Sequence, residues 1–252
     1  EPHRIFAAGK TSVCIFDKTG TLTRESLELK AWGIFDIVSK TIKKYESWND
    51  LKSPGLGSVA PVLAGCHSLL ELDGHLVGDP LEKLFFEATG FSYDPRNRKA
   101  VNKRDPNQNV SIRKVFPFSS DLKRMSVISN VKGFEFEGNQ LLVKGAPEVI
   151  VSLLSEPIPE LEKLCAELAS QGYRVLGLAR RELTREQTDE DIREVLEKNL
   201  TFVGLLLLQN PLKPDSAKFC QRLVASGRRV VILTGDHLLT SAHSFGLLGC
   251  ET

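Results

Sequence analysis

The sequence has no apolar run near the roughly 18 residues that a membrane-spanning helix needs. The longest candidate, Phe202 to Leu208, fits one buried strand. Internal repeats and low-complexity tracts are also missing. There is no C-x-x-C pair: the five cysteines, Cys14, Cys66, Cys165, Cys220 and Cys250, are scattered. That argues against a zinc ribbon or a disulfide framework and points to reduced thiols. Charge of one sign is lacking too. The 33 Lys and Arg nearly balance 32 Asp and Glu, a formal net charge of +1, which gives no general case for nucleic-acid binding. The basic stretch Arg96 to Asn109 has no interleaved aromatics and reads as a solvated loop. The 252 residues are 41% hydrophobic and 26% charged, enough for a soluble core in one large or two ordinary domains. The chain begins at Glu1 rather than Met and is expected to be a piece of a longer protein.

Thr11 to Phe16 is predicted as a strand, Ser26 to Ile34 as a second, and Phe35 to Trp48 as a basic helix. Ser53 to Ser58 is a loop, Pro61 to Leu70 a helix, and Asp73-Gly74 a tight turn. Asp79, Pro80 and Glu82 make a capping-box-like start for a helix that Gly90 ends. Ile112 to Phe118, Met125 to Asn130 and Leu141 to Val143 cluster as the strands of an antiparallel sheet. Ile158, Leu161, Leu164 and Leu168 lie at helical spacing. Arg174 to Ala179 is a further strand, and Thr184 to Gln187 is a capping-box signature for a helix through Ile192, Val195 and Leu196. In the tail, Phe202 to Leu208 and Val230 to Leu233 read as buried strands alternating with helices, an order that predicts a parallel sheet. The start and end thus share an α/β architecture, with an α+β region inserted between them.

The chemistry centres on Asp17-Lys18-Thr19-Gly20-Thr21-Leu22-Thr23. An apolar strand ends in an acid, and ligands of open α/β sheets sit beyond the carboxyl ends of their strands. A carboxylate there can attack phosphorus, while Thr19 and Thr21 offer hydroxyls to phosphate oxygens. An isolated Asp in this place equally caps the next segment, but that does not account for all seven residues. The string resembles the phosphorylation motif of P-type ATPases, whose phosphorylation domain has a haloacid-dehalogenase-like fold. The resemblance implies that Asp17 is the phosphate acceptor and that Lys18 compensates charge. It also implies Mg²⁺ held by Asp17 and the Thr19 carbonyl. Many relatives with this fold carry a second acid at the position of Thr19; its absence favours a long-lived aspartyl-phosphate.

Three further stretches carry the resemblance. Thr234-Gly235-Asp236 is similar to a phosphate-contacting motif in which Thr234 is catalytic and Gly235, Asp236 and Thr21 meet the nucleotide; His237 stands where Asn is usual. Phe118 to Ser126 and Lys144-Gly145-Ala146-Pro147-Glu148 are similar to nucleotide-domain segments. Phe118 would stack on adenine, although a Phe in such a run is more often core. Lys123 and Lys144 would contact ATP, and Gly145 would let the base approach the backbone. Arg174 would reach the phosphates. Asp79 would lie near adenine or cap its helix.

Asn210-Pro211-Leu212-Lys213, Glu1 to Lys10 with Arg4 and Gly9, and Leu76 to Lys83 resemble the fifth, or type V, subfamily. The lead-in and Gly78 to Lys83 favour its endoplasmic-reticulum group, which extracts or reorients membrane-protein helices. The continuation to Phe91 is also similar to the endolysosomal group that moves polyamines. The domains implied are 1–25 and 210–252 for phosphorylation and 26–209 for nucleotide binding. Expected partners are ATP, an actuator domain, membrane helices and a further phosphorylation-domain segment, at the cytosolic face of a membrane, with no nucleic acid and no insertion of this stretch. No GDGxNDxxAL segment is present, so the active site is expected to be incomplete here. A soluble phosphatase of the same fold and a non-catalytic nucleotide-binding module are the competing readings.

Overall fold

A computed structural model describes residues 3–36, 41–45, 56–236 and 238–250. In chain order the first elements are α1 (His3–Gly9), β1 (Val13–Asp17), β2 (Glu28–Asp36), β3 (Thr41–Tyr45), α2 (Leu56–Gly65), β4 (Leu70–Leu72) and β5 (His75–Val77). Then come α3 (Pro80–Thr89), β6 (Phe91–Asp94), β7 (Lys99–Asn102), β8 (Asn109–Ser119), β9 (Arg124–Lys132), β10 (Gly138–Gly145), α4 (Pro147–Ser152) and α5 (Pro159–Ser170). The last are β11 (Arg174–Glu182), α6 (Arg193–Leu196), β12 (Thr201–Gln209), α7 (Ser216–Ala225), β13 (Arg229–Leu233) and α8 (Leu238–Leu247). The chain divides into two compact units. One comprises 1–28, 166–174 and 208–252, the other 29–165 and 175–207.

In the first unit β1 and β13 pair in parallel, from Val13 opposite Arg229 to Asp17 opposite Leu233. One face of this pair is buried. Phe16, Val230 and Ile232 pack with Leu22, Cys220 and Leu223, and with Phe245 and Leu248 around α8. Side chains alternate across a strand, and the other face carries Val13, Ile15 and Leu233 at 41%, 59% and 60% exposure. The expectation of buried strands is therefore corrected for β1 and β13, whereas β12 is buried from Phe202 to Leu208. An apolar run cannot reveal which of its faces is covered.

The second unit is built on a sheet of nine strands in the order β3-β2-β12-β11-β10-β9-β8-β7-β6. β8 to β11 form an antiparallel meander. Its centre is buried on both faces, with Met125, Val127, Ile128, Leu141, Leu142 and Leu178 inaccessible. Helix α2 presses closely on it: a Cβ on Gly65 would lie 2.7 Å from Val110 and 2.8 Å from Leu142.

Several expectations are corrected here. Phe202 to Leu208 forms β12 of the nine-stranded sheet rather than a neighbour of β13 in a parallel sheet. The helix expected over Phe35 to Trp48 is instead strand through Asp36 and again over Thr41–Tyr45, paired antiparallel; residues 37–40 and 46–48 lie outside the described residues. Alternating apolar and basic residues fit either period when short, and cross-strand pairing decides. The loop expected at Arg96 to Asn109 contains β7. The helix expected at Pro61 to Leu70 runs instead over Leu56–Gly65 with Pro61 inside. The capping box at Thr184 does form: Thr184 N donates to Gln187 Oε1 at 3.1 Å and Gln187 N to Thr184 Oγ1 at 3.4 Å. It opens a single turn, however, because Glu190 turns extended, and Lys114 Nζ binds the Glu190 carbonyl at 3.1 Å.

Candidate functional site

In the first unit the site grows out of the end of β1. Thr19 (φ −78°, ψ 125°) and Gly20 (φ 84°, ψ −21°) make a type II turn, whose third position needs the positive φ that glycine adopts freely. Thr23 N closes the loop on the Lys18 carbonyl at 3.0 Å. The returning chain clamps it: Arg24 N donates to Pro211 O at 2.9 Å, Lys213 N to Leu22 O at 3.0 Å, and Ser216 Oγ to Leu22 O at 2.8 Å. Lys213 Nζ also donates to the Gly20 carbonyl. The loop shape is thus set by backbone bonds, leaving Asp17, Thr19 and Thr21 exposed.

Because Asp17 pairs with Leu233, Thr234-Gly235-Asp236 leaves the neighbouring strand at the same end. Thr234 Oγ1 accepts the Asp236 N–H at 3.1 Å. The hydroxyl proton of Thr234 is therefore left to donate, as contact with a phosphate oxygen requires. Lys18 does not extend into solvent as a surface lysine would. It is 2% exposed and ion-paired with Asp236. Lys18, Asp236 and the exposed Arg174 line one cavity of about 190 Å³, together with residues 208–212. His237 lies outside the described residues. No group of three or more His, Cys, Asp or Glu able to hold a metal occurs among the described residues. A single exposed carboxylate, Asp17, at a strand end is compatible with Mg²⁺. That ion is usually held by one or two carboxylates and completed by substrate phosphates and water.

The second unit contains Asp79, Phe118, Lys123, Lys144 and Gly145. Asp79 caps α3, accepting from Leu81 N at 2.8 Å and Glu82 N at 3.2 Å. Glu82, expected to complete that cap, turns inward instead. One oxygen accepts Ser68 N at 2.7 Å and the other accepts Lys144 Nζ at 2.9 Å. Both side chains of this ion pair are about nine-tenths buried, at 10% and 9% exposure. The Lys144 ammonium also lies 5.8 Å from the centre of the Phe85 ring. Beside it, burial pushes the Cys66 thiol up to about 12. Burial, with Lys144 adding to it, lowers His67 to about 4. His67 stands edge-on to Phe86 and Tyr93 at 5.1 and 5.0 Å.

Gly145 has a packing role of its own. A Cβ there would lie 2.7 Å from Arg124 Cβ and 2.8 Å from the Lys123 carbonyl. Lys123 is the left-handed residue (φ 49°) that ends the β8–β9 turn. A register shift between Phe116 and Ser119 bulges β8, and Phe118 on that bulge is 61% exposed rather than core. Sequence reasoning missed the buried cluster beneath it. Glu197, with a side chain at 0% exposure, binds Arg124 at 2.6 Å and Arg193 at 2.8 Å. Ser126 Oγ donates to it at 2.5 Å. Burial raises the Glu197 carboxyl, but hydrogen bonds from Arg193, Ser126 and Arg124 outweigh that and leave it below its ordinary value. The four-residue spacing of Arg193 and Glu197 was the available signal.

Residues 76–215, more than half the chain, match the family model described as P-type ATPase, cytoplasmic domain N. The chain is 36% identical over 250 residues to a probable manganese-transporting ATPase of Arabidopsis thaliana, covering 98% of this chain and 20% of that protein. It is 35% identical over 262 residues to a human probable cation-transporting ATPase 13A4, covering 95% and 21%. With the endoplasmic reticulum transmembrane helix translocase of Saccharomyces cerevisiae it shares 35% over 247 residues, covering 96% and 19%. The chain therefore spans about a fifth of the length of these relatives. No helix among the described residues is long and apolar enough to cross a membrane. Taken with the large antiparallel sheet of the second unit, the match places this chain in the P-type ATPase family as a bearer of its cytoplasmic domain N, with homologues among the type V (13A) members.

Proposed function

We propose that the chain is the ATP-binding and aspartyl-phosphorylation region of a type V P-type ATPase. In this reading the first unit is the haloacid-dehalogenase-like phosphorylation domain and the second binds the nucleotide. The observation that carries it is the parallel register of β1 and β13. That register sets Asp17 and Thr234-Gly235-Asp236 at one end of one sheet. An Asp17 oxygen attacks the γ-phosphorus, the bond to the β–γ bridging oxygen breaks, and ADP leaves with that electron pair; no proton changes hands. Thr234 donates its free hydroxyl proton to a phosphoryl oxygen, and Lys18, fixed by Asp236, brings positive charge next to the carboxylate. Mg²⁺ on Asp17 and the Thr19 carbonyl would supply charge neutralisation when bound. Thr19, a non-acidic residue, has no carboxylate with which to activate water against the product. This favours a pump over a phosphatase.

The stretch by itself is expected to bind ATP without sustained turnover. In the complete protein it works at the cytosolic face of a membrane. The endoplasmic-reticulum group, acting on membrane-protein helices, is the first assignment, and the resemblance of Gly78 to Lys83 supports it. The continuation to Phe91 favours the endolysosomal polyamine group as a second. In the full-length protein, [γ-³²P]ATP with Mg²⁺ should give a hydroxylamine-sensitive label that Asp17→Asn abolishes. An undiminished label in that variant would sink the proposal.

A further inference from the structure

The bulge that displays Phe118 is fastened from below. Arg193 donates from Nη1 to the Pro117 carbonyl at 3.3 Å and from Nη2 to the Arg124 carbonyl at 3.3 Å. One planar guanidinium thus grips the backbone on both arms of the β8–β9 hairpin. Arg124 reaches back to the Leu122 carbonyl at 3.3 Å. Glu197 holds both guanidiniums: Arg124 Nε at 2.6 Å, and Arg193 Nε at 3.0 and 3.1 Å. With Ser126 also donating to it, Glu197 has its acceptor sites occupied. It faces no solvent and so has no means of touching a ligand. A buried ion cluster is weak grounds for stability, because apolar packing of the same volume serves as well. Apolar side chains could not bond two carbonyls in a fixed direction, and that is what this cluster does.

We propose that Glu197 and Arg193 are positioning residues for the nucleotide base. They hold the Pro117–Phe118 bulge so that the exposed ring is already oriented to stack on it. This rests on the reading above that the second unit binds ATP. Base-on-aromatic stacking near the low end of its usual range, about 1.4 kcal/mol, corresponds to about a tenfold loss of binding when it is removed. Arg193→Lys keeps the charge but gives up the two-pronged grip.

The test is calorimetric titration of the 252-residue chain with ATP and with inorganic tripolyphosphate, which has no base. The expected result is about a tenfold loss of ATP affinity in Phe118→Ala and in Arg193→Lys, no further loss in the double variant, and unchanged tripolyphosphate binding. Ser126→Ala removes one donor to Glu197 and spares both guanidiniums; it should give the same pattern at smaller size, and serves if Arg193→Lys does not fold. Equal weakening of ATP and tripolyphosphate, or additive losses, would assign the cluster a general structural role and overturn the inference. ATP binding that is sensitive to Phe118→Ala but indifferent to both cluster variants overturns this inference alone. Failure of the unaltered chain to bind ATP overturns the parent reading and the inference with it.

Discussion

Asp17 and Glu197 are both carboxylates, yet they are treated in opposite ways. The first unit leaves Asp17 exposed at a strand end. Its loop is shaped largely by backbone hydrogen bonds, and Lys18, next to it in sequence, is bound to another acid, Asp236. The second unit seals Glu197 behind two guanidiniums and a hydroxyl. A carboxylate whose acceptor sites are filled can only hold structure; one left open can meet an electrophile or a cation. The contrast extends to packing. The first unit covers one face of a two-stranded sheet, whereas the second buries the centre of a nine-stranded one. On the proposed reading, rigidity is concentrated where a base would be received, and accessibility where phosphorus would be attacked.

The sharpest challenge to this contrast is Glu197→Ala. Stranding two buried guanidiniums should cost about 3–5 kcal/mol. Urea unfolding followed by tryptophan fluorescence reads this, since Trp32 is buried in the second unit. A loss below about 1 kcal/mol would show that the cluster is not sealed.

Next in size is the pH response of His67. Its value falls from 6.5 to about 4 on folding, so between those limits the unfolded chain binds more protons. Stability therefore falls as pH drops through this window. Going from pH 7.5 to 5 should cost the second unit about 2 kcal/mol, a loss largely absent in His67→Leu. Glu197 does not confound that range. Its carboxyl lies below the ordinary value, so its contribution is present above about pH 4.5 and is lost only at lower pH. Equal pH dependence in both proteins would mean that His67 is not held neutral by burial.

The smallest expected effect tests the open face of the first unit. Ile15, 59% exposed, should tolerate replacement by serine within about 0.5 kcal/mol in a thermal melt. A loss several times larger would show that this face is covered in solution, and the contrast would narrow.

Much of the fold was legible locally. Asp79 caps α3 and Gly90 ends it in the left-handed region, as Asp-Pro and a trailing glycine dictate. Gly20 sits in its type II turn for a reason that can be read from one residue. The candidate site was legible in part. Lys18 reads as an ordinary charged residue until Asp236, 218 positions away, is found beside it. Glu82 reads as a cap until Lys144 draws it inward. Phe118 reads as core until the register shift turns it out. For Lys18 and Glu82 the deciding partner is distant in sequence, and for Phe118 it is a bulge within one hairpin; no periodicity encodes either.

By itself the sequence determined the local items: the apolar runs that become strands, the turn chemistry after Asp17, the helix caps and the family resemblance. Their cause is short-range, in steric limits on φ and ψ and in side-chain hydrogen bonds a few residues apart. Tertiary structure alone decided that β13 pairs with β1 while β12 joins the antiparallel sheet, which face of β1 is buried, and which acid each cation meets. Those outcomes depend on desolvation. A buried charge must find a partner wherever the fold supplies one, and that choice is made in space rather than along the chain.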